Sequence, residues 1–265
     1  MKKMFFLGGL PRSGSTLLCN ILAQNPKLHT THTSGCLEVV FGIRNQWDEL
    51  IEHKAHPIEE TKKMVLRGVL QNYYWDVKEP IIIDKSRGWL AHLEMVEWVL
   101  GEKVKVLVPV RDLRDVLASF EKLWRKSTKS RQIQIERANY MNFQKIEDRL
   151  NLWCGREEPV GLAVNRVKDA VIRGFRDRMH YVDYDLLAKD PDETLQGVYE
   201  FLELEPFQHN FDHVEQVTSE NDDVHGFGVP LHNIRSKVEP QKPQYPEILG
   251  SSADRYLREA FFWKS

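Results

Sequence analysis

The sequence Pro11-Arg12-Ser13-Gly14-Ser15-Thr16 lies between an apolar run at residues 4–10 and the stretch LLCNILAQN. Strand, small-residue turn and helix form the arrangement in which backbone N–H groups at a helix N-terminus cradle a phosphate. Gly9, Gly14 and Thr16 keep the spacing of the loop G-x-x-x-x-G-K-[ST], but Ser15 stands where that loop has lysine. That lysine reaches the β- and γ-phosphates of a nucleoside triphosphate, so its loss points to a different ligand. Arg12 offers a cation from the other end of the loop. The plain alternative is a tight strand-to-helix turn with no ligand.

Arg111 and Ser119, eight residues apart, give a second signal. Arg111 ends the run VKVLVPV, and Ser119 falls two turns into the helix that follows. A triphosphatase often has an aspartate at this strand end to organise Mg²⁺. An arginine calls for a second anion instead, because its fork of donors suits phosphate. Alternatively, Arg111 caps the sheet by pairing with Asp112 or Asp115. Lys85 follows Ile81-Ile82-Ile83-Asp84 at a third strand end. Its bland reading is a surface pair with Asp84 or Glu79.

The elements that must position these groups read as follows. Residues 4–10, 81–83 and 104–110 are short apolar runs at strand length, and 180–183 reads as a last short strand. Leu17, Leu18, Ile21 and Leu22 repeat at helical spacing, and the helix should stop near Asn25-Pro26. Residues 45–76 are mostly helical in pattern. A further helix around Leu93, Val96, Val99 and Leu100 ends at Gly101. Asp190-Pro191 opens another through Leu195, Val198 and Leu202. Residues 27–42 read as irregular and polar-rich, 208–246 as a long loop, and the end from Ala253 as a short helix. Residues 123–172 are more polar and basic and read as a helical insertion rather than core. Strands alternating with helices imply an α/β chain with a parallel sheet covered on both faces. In such sheets ligands sit at the carboxyl ends of the strands, where Arg12, Lys85 and Arg111 converge.

The 265 residues suit one large domain, here taken as 1–265 with its helical insertion at about 123–172. A hydrophobic share of 42% and a charged share of 29% are those of a soluble globular chain. The net charge of −2 gives no global attraction to nucleic acid or anionic membrane. Cys19, Cys36 and Cys154 have no paired spacing, which argues against a disulfide framework and for a reducing compartment. Lys2-Lys3 before the first apolar run resembles a signal peptide, but Pro11-Arg12 cuts the run short. It reads as the first strand. No run reaches the length of a membrane span, so a cytoplasmic location is expected.

Together these segments resemble the sulfotransferase family. LGGLPRSGSTLL is similar to the loop that binds the phosphosulfate side of 3′-phosphoadenosine 5′-phosphosulfate (PAPS). VPVRDLRDVLASF resembles the 3′-phosphate segment, in which an arginine and a serine eight residues later hold the phosphate. YVDYDLL followed by Asp190-Pro191 resembles the segment whose tyrosine lies near the adenine, here Tyr184. Arg235-Ser236-Lys237 resembles the basic segment that closes over the nucleotide. The RSGST form is closer to the bacterial and protein-tyrosine branches than to the cytosolic small-molecule branch.

The resemblance implies a P-loop-like sulfotransferase fold and sulfuryl transfer from PAPS to a hydroxyl or amine, leaving 3′-phosphoadenosine 5′-phosphate (PAP). The implied nucleotide ligands are Arg12, Ser13, Gly14, Ser15, Thr16, Arg111, Ser119, Tyr184, Arg235, Ser236 and Lys237. Arg12 and Lys85 are the implied cations at the transferring group. No metal is called for, since side chains and backbone N–H groups supply the charge. The base is open. Where the cytosolic branch has a histidine two residues after the lysine, this chain has Arg87, which is no base at neutral pH. His32 and Glu38 are the candidates in the segment after the first helix. Their bland reading is loop exposure and helix capping. Acceptor choice falls to residues 29–48, 123–172 and 221–232, for a carbohydrate, small alcohol or phenol, lipid or peptide. A kinase-like phosphotransferase and a non-catalytic nucleotide-binding module are the alternatives.

Overall fold

The computed structural model describes residues 2–126, 144–225 and 229–264. Five strands form one sheet: β1 (Lys3–Leu7), β2 (Leu28–Thr33), β3 (Ile81–Lys85), β4 (Val106–Val110) and β5 (Met179–Asp183). Their order is β2-β3-β1-β4-β5, and every pairing is parallel. Because β1 is central, the chain crosses first to one side of it and then to the other. The loop after β1 therefore opens onto the crevice where the winding reverses, the place such sheets use for ligands.

Alternate residues of the strands feed two cores. Met4, Phe6, Ile82, Val106 and Val108 pack on one face, against Trp89, Leu93 and Val96 among others. Phe5, Leu7, Ile83, Leu107 and Val182 pack on the other. That second face is covered by α1 (Ser15–Leu22), through Leu18, Ile21 and Leu22, and by a later helix through Leu195, Val198 and Leu202. Burial on both faces explains why β1, β3 and β4 read as near-continuous apolar runs.

The first face is covered by α2 (Cys36–Glu49), α4 (Glu59–Asn72), α5 (Leu93–Leu100) and α6 (Leu113–Lys126), with the short α3 (Ile51–Ala55) between α2 and α4. α7 (Ile146–Trp153) and α8 (Pro159–Ile172) complete it. This departs from the expected peripheral insertion. Leu150, Trp153, Val160, Val164 and Val167 are core residues. The polar character of α7 misleads because Arg149 is itself buried, holding Glu121 of α6 through Nε–Oε2 (2.8 Å) and Nη2–Oε1 (2.7 Å) contacts. The remainder of the expected insertion, residues 127–143, lies outside the described residues.

Residues 27–42 also differ from the sequence reading. They hold β2 and the start of α2. β2 is an edge strand of sequence LHTTHT, and its threonines replace apolar packing with hydrogen bonds. Thr30 Oγ1 donates to the Cys19 carbonyl at 2.9 Å, and Thr31 Oγ1 accepts from the Lys85 amide at 2.8 Å. After β5 come α9 (Tyr184–Lys189), α10 (Pro191–Leu202) and a long irregular stretch. α11 (Tyr245–Leu249) then leads into a 3₁₀ run, Gly250–Glu259, so the terminal helical segment starts earlier than Ala253.

Candidate active site

The loop after β1 is held open by backbone constraints. Gly14 caps α1 in the left-handed region (φ 81°), and Arg12 also has positive φ (59°), a strained conformation for a side chain of its size. Gly9 has no room for a side chain: a Cβ there would lie 2.3 Å from the Pro109 carbonyl oxygen. Ser13 is buried, and its hydroxyl is shared between the carbonyls of Leu10 (2.6 Å) and Pro109 (3.0 Å). Its side chain thus ties β1 to β4 and does not face the crevice as a ligand would. No side chain caps α1, so its first N–H groups remain available to an anion.

Two arginines converge above this helix start. Arg12 Nε donates to Ser119 Oγ (3.1 Å), and its Nη1 donates to the Leu231 carbonyl (2.5 Å). Burial, then the nearby charge of Arg111, hold its pKa below the ordinary arginine value. Arg111 stacks over the Tyr184 ring at 4.5 Å. It forms ion pairs with Asp115 at 3.6 Å, as the capping alternative expected, and with Asp185 at 3.9 Å, both longer than a hydrogen bond. Asp112 instead binds Arg114, and Asp115 Oδ1 accepts the amides of Gln244 and Tyr245. Arg111 Nε is buried without a hydrogen-bond partner among the described residues. A like-charged pair with an unsatisfied buried donor fits an anionic ligand that brings its own acceptors.

A cavity of about 270 Å³ lies at this point, lined by Gly14, Ser15, Thr16, Arg111, Ser119 and Tyr184 among others. Arg235 and Lys237 also line it, from the later loop. Ser236 does not; its carbonyl oxygen accepts the Val214 amide (2.6 Å), which fixes the strip between its two basic neighbours. Arg235 and Lys237 are exposed and paired with Glu239 (3.9 Å) and Asp212 (3.0 Å).

A second cavity, about 300 Å³, abuts the first, and Arg12 and Leu231 line both. Its polar wall carries Lys85, Arg87 and His232; its apolar wall carries Phe120, Leu123 and Pro159. Lys85 Nζ pairs with Glu220 Oε1 at 3.2 Å. Burial opposes ionisation of Glu220, but the Thr33 amide, Lys85 and His232 outweigh it and hold the carboxyl at about 2. His232 Nδ1 lies 2.5 Å from Asp222 Oδ1, while Asp222 Oδ2 accepts the Leu231 and His232 amides. One carboxylate thereby fixes both the ring and the backbone that carries it.

The two bases expected from sequence, His32 and Glu38, are exposed, and neither lines this cavity. His32 Nδ1 contacts the Thr33 carbonyl (2.8 Å), and Glu38 sits in the first turn of α2 facing the charge of Arg166. Glu220, Asp222 and His232 were not singled out in the sequence. They fall in an aperiodic stretch whose only signal is acidic residues flanking a histidine. Asn20 of α1 brings this stretch home: its Oδ1 accepts the amides of Val217 (2.6 Å) and Thr218 (3.0 Å).

An uncapped helix start behind a left-handed loop, on a parallel sheet of this order, fits a protein that transfers a group from a nucleotide. A profile described as "Sulfotransferase family" matches residues 5–209. The chain belongs to the sulfotransferase family, whose enzymes carry out sulfuryl transfer, and the kinase-like alternative is not favoured. Among solved structures, a sulfotransferase from Alicyclobacillus acidocaldarius is 14% identical, with 99% of this chain and 96% of that chain covered and a TM-score of 0.50. Retinol dehydratase in complex with retinol and PAP is 15% identical, with 98% and 82% covered and a TM-score of 0.48. Sulfotransferase STF9 from Mycobacterium avium is 13% identical, with 77% of this chain covered and a TM-score of 0.47; the chain spans 64% of its length. No curated protein matches the sequence. Among the described residues no helix is long and apolar enough to cross a membrane.

Proposed function

We propose that residues 1–265 act as one domain that transfers a sulfuryl group from PAPS to a hydroxyl or amine on a small acceptor. The observation that carries this reading is the meeting of two cavities at Arg12, one at the α1 N-terminus and one at Lys85 and His232. A donor in the first and an acceptor in the second would meet at a cation.

When bound, PAPS supplies an activated sulfuryl group: acceptor oxygen or nitrogen bonds to sulfur as the bond from sulfur to the 5′-phosphate oxygen breaks, the electron pair leaving with PAP. The residues of this chain do the rest. The α1 N-terminus and the backbone of residues 13–16 would hold the 5′-phosphosulfate side. Arg111, with its unsatisfied Nε, would hold the 3′-phosphate, and Tyr184 would face the adenine. Ser119 acts through Arg12, whose Nε it accepts. Arg235 and Lys237 would close over the nucleotide from the loop side. Arg12 and Lys85 offset charge on the leaving oxygens. His232, oriented by Asp222, takes the proton from the acceptor. These charges are sufficient without a metal. A reducing, cytoplasmic setting is supported by three cysteines that are all free.

The deciding experiment is calorimetric titration with PAP, and with ATP plus Mg²⁺, of the wild type and Arg111→Ala. Metal-free PAP binding weakened by the substitution is expected. Preference for ATP with Mg²⁺, or indifference to Arg111, would sink the reading.

A further inference from the structure

We infer that the acceptor carries an oxyanion at the end opposite its reacting group, bound by Arg87 with Arg166 beside it. This rests on the proposed sulfuryl transfer and names the acceptor class for the same site.

Every other cation of the acceptor-side cavity is matched. Lys85 has Glu220, His232 has Asp222, and Arg12 has Ser119 and the Leu231 carbonyl. Arg87 lines the same cavity, two residues beyond Lys85, and makes no hydrogen bond or ion pair among the described residues. The charged group that acts most on Arg87 is a second cation, Arg166 of α8; among the described residues the one acid acting on it, Glu220, has a smaller effect. Arg166 likewise makes no hydrogen bond or ion pair among the described residues, and only Glu38 acts on it as an acid. Arg87 is exposed to the cavity and Arg166 is half-buried, so both keep donors open to a ligand. An anion bound at Arg87 fills those donors and offsets the like charge of Arg166, which makes Arg87 a recognition element rather than a structural one.

The rest of the wall sets the shape of the ligand. Phe120, Leu123, Pro159 and Leu231 are apolar, and the volume near 300 Å³ admits a small molecule. Cα atoms two residues apart in extended chain are at most ~7 Å apart. A compact acid thus reaches from Arg87 to the Lys85–His232 end, with an apolar body along Phe120 and Leu123. A planar carboxylate and a tetrahedral sulfonate, sulfate or phosphate share this chemistry.

Three probes of one shape separate these cases: 4-hydroxybenzoate, 4-hydroxybenzenesulfonate and neutral 4-hydroxybenzamide. Each is titrated by equilibrium dialysis against PAP-loaded wild type, Arg87→Ala and Arg87→Lys, and each is assayed for sulfuryl transfer from PAPS. At least one acid is expected to bind ~10-fold or more tighter than the amide, the range of a charge-assisted contact. Arg87→Ala should bring that ratio near one, and Arg87→Lys should keep part of it. The stronger acid identifies the oxyanion geometry. PAP titration of the same preparations reads the nucleotide site separately, so wild type that fails to bind PAP removes the proposed function. PAP binding with neither acid preferred, or a preference that survives Arg87→Ala, overturns this inference alone.

Discussion

Lys85 and Glu220, 135 residues apart, form an ion pair of 3.2 Å in which the side chains are only 7% and 9% exposed. The pair docks the long stretch after α10 onto the carboxyl end of β3. Arg12 docks the same stretch a second time, through the Leu231 carbonyl. A loop with little secondary structure is thereby pinned on both sides of the point where the two cavities meet.

Removing Glu220 should therefore loosen the loop and change the pH response. Glu220→Gln leaves Lys85 shielded without its counter-charge, with an expected loss of about 3 kcal/mol in urea unfolding, the low end for breaking a buried pair. Because the folded carboxyl titrates at about 2 against an ordinary 4.5, its stabilisation is complete above pH 4.5 and lost as pH falls toward 2. His209 adds an earlier step: burial lowers it from 6.5 to about 4, so protonation costs stability as pH falls through that interval. Wild-type melting temperature should fall in both windows, and Glu220→Gln should lack the lower one. An identical acid limb in the variant would contradict the pairing.

His232→Ala should lower kcat by ~10²–10⁴, the range of a general base, while PAP affinity changes little. Asp222→Asn should fall between, since it disturbs ring orientation without removing the ring. Steady-state kinetics beside PAP titration separate the two quantities. A His232→Ala enzyme with unchanged kcat would assign the proton to another group.

Gly14→Ala should abolish nucleotide binding and cost about 1–3 kcal/mol of stability from the left-handed backbone. Its Cβ would also approach the Tyr184 ring to 2.4 Å, so the ring over which Arg111 stacks must move. Thermal denaturation with and without PAP tests this. The ligand-induced rise in melting temperature seen in wild type should vanish.

Arg149→Ala strips Glu121, which is fully buried, of a two-point partner. Arg125 also reaches Glu121 Oε1 at 2.7 Å, so the expected loss is about 3 kcal/mol, the low end for breaking a buried pair. A change within experimental error would mean that α7 is peripheral to the core after all.

Much of the fold was legible because β1, β3 and β4 are buried almost throughout and so leave apolar runs. β2 was not legible, since an edge strand that satisfies Thr30 and Thr31 by hydrogen bonding carries no apolar run. The core membership of α7 and α8 was hidden by Arg149, a charged residue made tolerable inside by a partner in α6. At the site, the loop at Arg12 and the pair Arg111 and Ser119 stood out by type and spacing. Glu220, Asp222 and His232 did not, because no period or motif marks a loop residue whose position is set by docking.

The sequence alone marked the loop proposed to bind phosphate. A loop of small residues between an apolar run and a helix can present N–H groups to an anion, and serine in place of lysine points to a ligand other than a triphosphate. Tertiary structure alone decided which side chains face the acceptor. Lys85, Arg87 and His232 line one cavity because β3 and a loop about 150 residues later are brought together by Asn20, Arg12 and Glu220. Those contacts join residues far apart in the chain, and their geometry follows from packing and charge pairing that local sequence does not encode.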